Sequence, residues 1–420
     1  MSVLGLAQAP SAAPAAPAPA AAAPQAAVTL EQAIQLALAH SPALQAAATQ
    51  VPQSLAQETT AALRPNPVLA WDALYQPIFN PSQFNHSYLN NSAEYDASLS
   101  YTIERGHKRQ ARMAAARDVT AVTRAQVEDA RRGVEFNVAQ QFVAALLAKS
   151  TLAFAQQDLA SWQNTVAVSQ SQYAAGAVSE GDLDTVKLQT LQYQTAAASD
   201  QLSLLQALSA LRQQMGFSAV PASYAVAGDL AFEPVRADLA TLQSLALAHR
   251  PDLIAARQGV TAAESQLKLA RANGKRDLTV TGEYIHAAGI SSAAALFSIE
   301  VPVFDRNQGE IARTAAALTQ AQDLAEAANQ QVLTDVATAF AAVQQGSRVV
   351  QLYTSGYRDE ARQALTIRQY SYSRGASSLL DLLDAERTYR TTETGYRQAL
   401  AAYMLAVEQL KEAVGTRTLP

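Results

Sequence analysis

The chain reads LALAHSPALQAA at 36–47 and LALAHRPDLIAA at 245–256, so one motif is written twice. A second motif repeats in the same order, because YAAGAVSEGDL at 173–183 returns as YSRGASSLLDL at 372–382. Motifs that recur in a fixed order at a long spacing indicate an internally repeated structure. The sequence therefore predicts two copies of one structural unit, joined by a short connector.

The two copies are predicted to span 29–216 and 238–415, and three shorter segments lie outside them. Residues 1–28 are rich in Ala and Pro and contain a short apolar stretch that ends in AQA, the pattern of a signal-peptide cleavage site. We interpret this segment as a signal remnant followed by a linker, with a chance match in an alanine-rich stretch as the alternative. Residues 217–237 are interpreted as the connector and 416–420 as a C-terminal tail.

Long helices are predicted in both copies, because proline is absent from most of each copy and alanine is abundant. The segments 107–175 and 310–374 each predict a helix of roughly 100 Å, at a rise of about 1.5 Å per residue. Medium helices are predicted to follow them at 178–215 and 377–413. Shorter helices are predicted to precede the strands at 43–63 and 252–273. A short and a medium helix placed end to end match one long helix, which predicts a helical cylinder.

Four segments alternate between apolar and polar residues, at about 66–76, 93–105, 277–287 and 292–304. This alternation predicts strands of the length that a tilted strand needs to cross a bilayer. A half-buried sheet in a soluble protein is the alternative, but four strands cannot close into a barrel alone and their edges need partners. The side chains predicted to face lipid are Trp71, Leu99, Tyr101, Phe297 and Ile299. The fold class is therefore mainly α with a transmembrane β-barrel portion.

Composition argues against several other functions. The net charge of −5 gives no reason to expect nucleic-acid binding. The sequence contains no run of about 18 apolar residues, so no transmembrane helix is predicted. The chain has no Cys, its five His are dispersed, and none of the common catalytic or phosphate-binding motifs is present. We therefore predict no metal site, no cofactor and no enzymatic activity.

The repeated glycine motif predicts the turn between the long and the medium helix of each copy. Gly176 and Gly375 are expected to end the long helices in the left-handed conformation. Ser179 and Ser378 precede an aspartate by three residues, which is the spacing of a capping box, and the paired aspartates are Asp182 and Asp381. Asp384 follows Asp381 on the same helix face but lies too deep in the helix to cap it.

From about 29 to 415 the sequence resembles the TolC family of outer-membrane efflux proteins. Three motifs resemble the branch that serves heavy-metal-cation pumps: RPNPVL at 64–69, ERGHKRQAR at 104–112 and VPVFDRNQGEIAR at 301–313. The resemblance implies a homotrimer in the outer membrane, surrounded by lipid, with a twelve-stranded barrel and a periplasmic tunnel that closes at the glycine turns. It also implies two partners, a periplasmic adaptor and an inner-membrane resistance–nodulation–division pump. A duct for drugs or secreted proteins, and a soluble periplasmic coiled-coil scaffold, are the alternatives.

The resemblance also assigns roles at the tunnel tip. Asp381 and Asp384 match family aspartates that form rings around the periplasmic opening, and in a trimer such rings would attract cations. Tyr372 matches a tyrosine that helps to hold the opening shut, and Asp182 is a candidate for its partner. The arginine of the family latch falls at Ser377, so the chain departs from the family pattern there.

Overall fold

The computed structural model describes residues 26–420, so the predicted signal remnant lies outside the described residues. Both halves follow one order: short helices, two antiparallel strands, a long helical stretch that is continuous in the first half and interrupted in the second, and a medium helix. The first half contains β1 (Ala26–Val28), α1 (Leu30–His40), α2 (Pro42–Ala48), α3 (Gln50–Ala62), β2 (Val68–Leu74), α4 (His86–Asn91), β3 (Glu94–Ile103), α5 (Lys108–Ala174) and α6 (Glu180–Met215). The second half contains β4 (Tyr224–Val226), α7 (Leu239–His249), α8 (Pro251–Asn273), β5 (Leu278–Ala287), β6 (Ile290–Ile299), α9 (Gln308–Leu352), α10 (Arg358–Ser373) and α11 (Leu379–Val414).

The helix α5 begins and ends within one residue of its predicted bounds. One stretch of α5 is apolar enough to cross a membrane, but half of that stretch is buried inside the chain, as in the core helix of a folded domain. The corresponding helix of the second half, predicted as continuous over 310–374, is interrupted. A π-helical turn at Tyr353–Tyr357 separates α9 from α10, and Gly356 within it adopts a φ of 131°.

Two further boundaries differ from the predictions. The helix predicted at 43–63 is divided at Thr49, because Pro52 lies in the first turn of α3 and cannot donate a backbone hydrogen bond to the preceding turn. Residues Ala26–Val28, predicted as part of the linker, form β1 and pair in parallel with β4 of the connector. The Tyr224 hydroxyl of β4 donates to Leu208 O at 2.6 Å, which ties this pair to α6.

The four longer strands form one antiparallel sheet in the order β2-β3-β5-β6. The strand predicted at 292–304 begins earlier and ends at Ile299, because the turn between β5 and β6 consists of two residues. Ala288 and Gly289 both have positive φ, 55° and 75°, as a tight hairpin turn requires. Beyond Ile299 the chain reaches Pro302, which lacks the N–H group that a ladder needs.

The register of the sheet separates its two faces. Trp71 lies opposite Ala97, Tyr101 opposite Val280, and Val280 in turn opposite Phe297. The five residues predicted to face lipid therefore lie on one face of the sheet, namely Trp71, Leu99, Tyr101, Phe297 and Ile299. The other face carries Ser98, Ser100, Thr279 and Glu283. Within the described chain, the outer edges of β2 and β6 pair with no further strand of this sheet.

Each half has its own hydrophobic core, at the level of the short helices. In the first core, Val138 and Phe142 of α5 pack with Leu211 and Met215 of α6 and with α1. In the second core, the equivalent Val336 of α9 packs with α7 and α11. The two cores hold the long helices side by side. The sheet lies at one end of these helices, and the turns between α5 and α6 and between α10 and α11 lie at the other end.

Candidate functional site at the helical tip

The two turns at the tip have the same backbone geometry. Gly176 and Gly375 have φ of 72° and 71°, the left-handed conformation predicted for them. In the first turn Ala177 N–H donates to Gln172 O, and in the second Ala376 N–H donates to Ser371 O, each at 2.8 Å. These bonds close a Schellman motif, which satisfies the last carbonyl groups of each long helix and reverses the chain.

Serine caps begin both medium helices, as the sequence predicts. Ser378 Oγ accepts from Asp381 N–H at 3.2 Å, and Asp381 Oδ2 accepts in return from Ser378 N–H at 3.2 Å. Ser179 Oγ accepts from Asp182 N–H at 3.1 Å and donates to its carboxylate at 2.8 Å. The hydrogen bonds from Ser378 and Ser377 lower the pKa of Asp381, because they stabilise its ionised form.

Asp384 lies one turn beyond Asp381 and is exposed. Among the described residues its carboxylate makes no ion pair, and its position is too far from the helix start to cap it. Asp381 is also exposed, although its carboxylate is engaged with the serines. The start of α11 therefore presents two carboxylates to the surroundings, one of which the fold of the helix does not use.

Within the protomer Tyr372 hydrogen-bonds to α5 and makes no hydrogen bond to Asp182 among the described residues, so its pairing with Asp182 stays a prediction for the assembly. Its side chain is 4% exposed, and its hydroxyl lies 3.0 Å from Ser169 Oγ on α5. Ser169 Oγ donates to Thr165 O, so the tyrosine hydroxyl is the donor between the two. Gln172 of α5 donates to Tyr372 O at 2.9 Å. These bonds join the ends of α5 and α10, which brings the two tip turns together.

A cluster of buried charged residues, which we did not predict, lies roughly 27 Å from the tip, at about 1.5 Å per residue along α5. Asp158 of α5 forms an ion pair with Arg390 of α11 at 2.8 Å. The Arg390 guanidinium also lies 4.5 Å from the ring centre of Tyr193, which stacks on Trp162 at 5.1 Å. We call Asp158, Trp162, Tyr193, Glu386 and Arg390 the buried acidic cluster.

The carboxyl groups of the buried acidic cluster are easily protonated. Burial raises the pKa of Asp158 to about 6, although the charge of Arg390 opposes the shift. Burial likewise raises the pKa of Glu386 to about 7, although the Gln369 amide donates to this side chain at 2.9 Å. Sequence spacing contains a signal for Glu386, because Leu382, Glu386 and Tyr389 step by four and three along α11, as core positions of a coiled coil do.

Long helices that end in capped glycine turns and join an open four-stranded sheet with one apolar face are the features of an outer-membrane channel subunit. The chain belongs to the outer membrane efflux protein family, whose model matches 33–217 and 242–416. It is accordingly an outer-membrane protein with most of its residues in the periplasm.

Relatives of this chain have different stated roles. The chain is 27% identical over 353 residues to the pyoverdine export outer membrane protein OpmQ of Pseudomonas putida, which covers 77% of this chain and 71% of OpmQ. It is 25% identical over 323 residues to the cobalt-zinc-cadmium resistance protein CzcC of Cupriavidus metallidurans, with 76% of each chain covered. The fold matches a crystal structure of CusC with a TM-score of 0.75, 20% identity and coverage of 96% and 99% of the two chains. This match confirms the mainly helical architecture.

The tip turns generate a first prediction. Replacing Gly375 by Ala should destabilise the protein by about 1–2 kcal/mol, because an L-residue with a Cβ is strained in the left-handed conformation. No atom lies within 4 Å of the added Cβ, so the cost is conformational and not a clash. The control is Gly133→Ala inside α5, where the Cβ also meets open space and alanine should stabilise the helix by about 0.5–1 kcal/mol. Chemical unfolding measures both changes, and equal effects from the two variants would contradict this account.

The buried acidic cluster generates a second prediction. Because the folded-state pKa of Glu386 lies above its ordinary value, this carboxyl group binds its proton more tightly in the native protein than in the unfolded chain between about pH 4 and pH 7. The free energy of unfolding should therefore fall as the pH rises through this window and level off above it.

Glu386→Gln should reduce this dependence, since an amide does not ionise, and the contribution of Asp158 should remain. The matched control is Glu264→Gln on α8, which removes an exposed carboxylate from another helix and should leave the slope unchanged. Melting temperatures at pH 5, 6, 7 and 8 measure the effect. A Glu386→Gln variant that keeps the full wild-type slope would show that this carboxyl is already accessible to water.

Proposed function

We propose that three copies of this chain form a duct through the outer membrane, with twelve strands closing a barrel and the helices forming a periplasmic tunnel. The observation that carries this proposal is the sheet. It has four strands, two edges without a strand partner in the described chain, and an apolar face that includes Trp71, Leu99 and Phe297. In a bilayer, unpaired edges of this kind are satisfied only when the sheet closes.

The duct would export substrates that an inner-membrane resistance–nodulation–division pump and a periplasmic adaptor deliver to it. Heavy-metal cations are the substrate class we favour, supported by the similarity to CzcC, a cobalt-zinc-cadmium resistance protein. The similarity to OpmQ, a pyoverdine export protein, favours export of an organic molecule as the second candidate. A soluble scaffold is disfavoured, because it would gain nothing from exposing a face that carries Leu99 and Phe297.

The tip would form the periplasmic opening of the tunnel. Six carboxylates, one Asp381 and one Asp384 from each protomer, would lie around it as two rings. Asp182 would add charge at the neighbouring turn, and Tyr372 would act indirectly, by joining α5 and α10 through Ser169. Stacked carboxylate rings attract cations and exclude anions, which suits a duct for metal ions.

The assembly can be tested through the two faces of β3. Leu99→Arg should place a cation in lipid, costing roughly 2–4 kcal/mol at the bilayer midplane, and should reduce the yield of trimer in outer membranes. Ser98→Arg is the matched control, because it adds the same charge one residue away on the opposite face, which would line the lumen. Crosslinking and blue native electrophoresis of detergent extracts measure trimer. Equal losses for the two variants, or a monomer that needs no detergent, would refute the proposal.

The gate can be tested by conductance in planar bilayers. The double variant Asp381→Asn and Asp384→Asn should lose block by multivalent cations and lose preference for cations over anions. It should remain trimeric, because both side chains are exposed in the protomer. The control is Asp323→Asn on α9, which removes an exposed carboxylate far along the chain from the tip. Wild-type block and selectivity in the double variant would mean that other residues form the gate.

A further inference from the structure

Basic residues concentrate where the sheet joins the helices. The stretches 64–67, 104–112, 271–277 and 300–306 contain nine Lys or Arg and four Asp or Glu. The basic residues are Arg64, Arg105, Lys108, Arg109, Arg112, Arg271, Lys275, Arg276 and Arg306. We call this region the basic band, and a net positive charge at this level sets it apart from the chain as a whole, whose net charge is −5.

One cleft within the basic band is built differently from the rest of it. The cleft has a volume of about 250 Å³, and its lining combines Arg64, Arg109 and Gln110 with Tyr101 and Ile103 of β3. Tyr101 and Ile103 alternate with the lumen-side residues of β3, so they lie on the same face of the sheet as Leu99. The cleft therefore lies where the apolar face of the sheet ends and the cationic band begins.

The charges around this cleft do not cancel. Glu104 also lines it, but both of its oxygens accept from Arg112, at 2.6 Å and 3.3 Å, so this pair is neutral as a unit. Arg64 is exposed and makes no ion pair among the described residues. With Glu104 matched by Arg112, the cleft retains the two positive charges of Arg64 and Arg109.

Arg109 is held in place in a way that leaves it able to bind a ligand. Its Nε donates to Ala62 O at 2.6 Å, at the C-terminal end of α3. Among the described residues the Arg109 side chain makes this one hydrogen bond. Its two terminal nitrogens are therefore able to donate to a ligand. A guanidinium that is fixed through Nε offers its outer edge to an oxyanion, and arginine is well suited to phosphate because it can donate two parallel hydrogen bonds.

We propose that this cleft binds the phosphate group of an anionic glycerophospholipid in the periplasm-facing leaflet of the outer membrane. Arg64 and Arg109 hold the phosphate, Gln110 donates to the headgroup, and the acyl chains lie along Ile103 and Leu99. Tyr101 suits the boundary, because its ring is apolar and its hydroxyl is polar. The inference rests on the proposed function in one respect, since it requires the apolar face of the sheet to lie in lipid.

The occupant follows from the two kinds of surface that meet here. A free phosphate ion would use the arginines and leave Ile103 and Leu99 in water. A detergent-like chain without an anionic headgroup would leave two guanidinium groups without a counter-ion. A lipid with a net negative headgroup satisfies both surfaces, and a zwitterionic lipid satisfies them less well, because its own ammonium group meets the same arginines.

Native mass spectrometry of the detergent-purified full-length assembly tests the proposal. Phosphatidylglycerol, phosphatidylcholine and inorganic phosphate are titrated separately onto wild-type protein and three variants. We expect wild-type protein to retain phosphatidylglycerol in preference to phosphatidylcholine. Arg64→Gln should weaken retention of phosphatidylglycerol about tenfold, the loss expected for one charge-assisted hydrogen-bond partner. Arg64→Lys should retain phosphatidylglycerol less tightly than wild-type protein and more tightly than Arg64→Gln, because lysine keeps the charge but lacks the two parallel donors of arginine.

Arg105→Gln is the matched control. Arg105 is an exposed arginine of the same basic band, close to the cleft in sequence but not part of its lining. Equal loss of lipid from Arg105→Gln and Arg64→Gln would overturn the proposal, because it would show diffuse attraction to the band. Inorganic phosphate that binds as tightly as the lipid, or competes with it fully, would also overturn it. A failure of the proposed function is visible separately, as a monomer that needs no detergent, before any lipid is added.

Discussion

Backbone hydrogen bonding along the outer edges of β2 and β6 is the constraint on which the rest of the proposed assembly depends. In water these edges could be hydrated, but in hydrocarbon each unpaired N–H or C=O group costs several kcal/mol. Three copies that close the sheet remove this cost. Closing the sheet also fixes where the helices stand, because α5 and α9 follow directly from β3 and β6. A tunnel below the barrel and converging turns at its far end are then consequences of the same closure.

The long helices need attachments to one another along their length, and the structure provides them in two ways. At the level of the short helices, apolar cores built around Val138 and Val336 hold the helices together. Toward the tip, smaller apolar clusters around Trp162 and Leu382 are joined by polar contacts, with Asp158 and Arg390 paired and Tyr372 bonded to Ser169. Polar contacts specify position but hold less firmly than a packed core, since each bond replaces one to water.

The sequence was sufficient for features that local rules determine. Glycine and proline positions located the turns and the long helices, and the spacing of Ser378 and Asp381 located the cap. Alternation placed the five apolar strand residues on one face. The sequence-based prediction failed where the outcome depends on contacts distant in sequence, as with the pairing of β1 with β4 and the buried carboxyl of Glu386. The π-helical turn was missed although Gly356, which has a positive φ there, is a local signal. The start of β6 was missed because its first half, at 290–296, is largely small residues without clear alternation.

Comparison of the two tip turns separates what folding requires from what it does not. Both copies have the left-handed glycine and a serine that caps the following helix. Of the two aspartates, Asp381 also accepts from the serine N–H and completes a capping box, whereas Asp182 accepts from the serine hydroxyl. One turn further, the second copy has Asp384, whereas the first has Thr185, whose hydroxyl donates to the backbone at Gly181 O. A helix of the same length begins equally well with threonine at this position, so the fold gives no reason for the second carboxylate. We therefore propose that Asp384 acts in the assembly and not in the protomer, and the axis of the proposed trimer is where three such charges would meet.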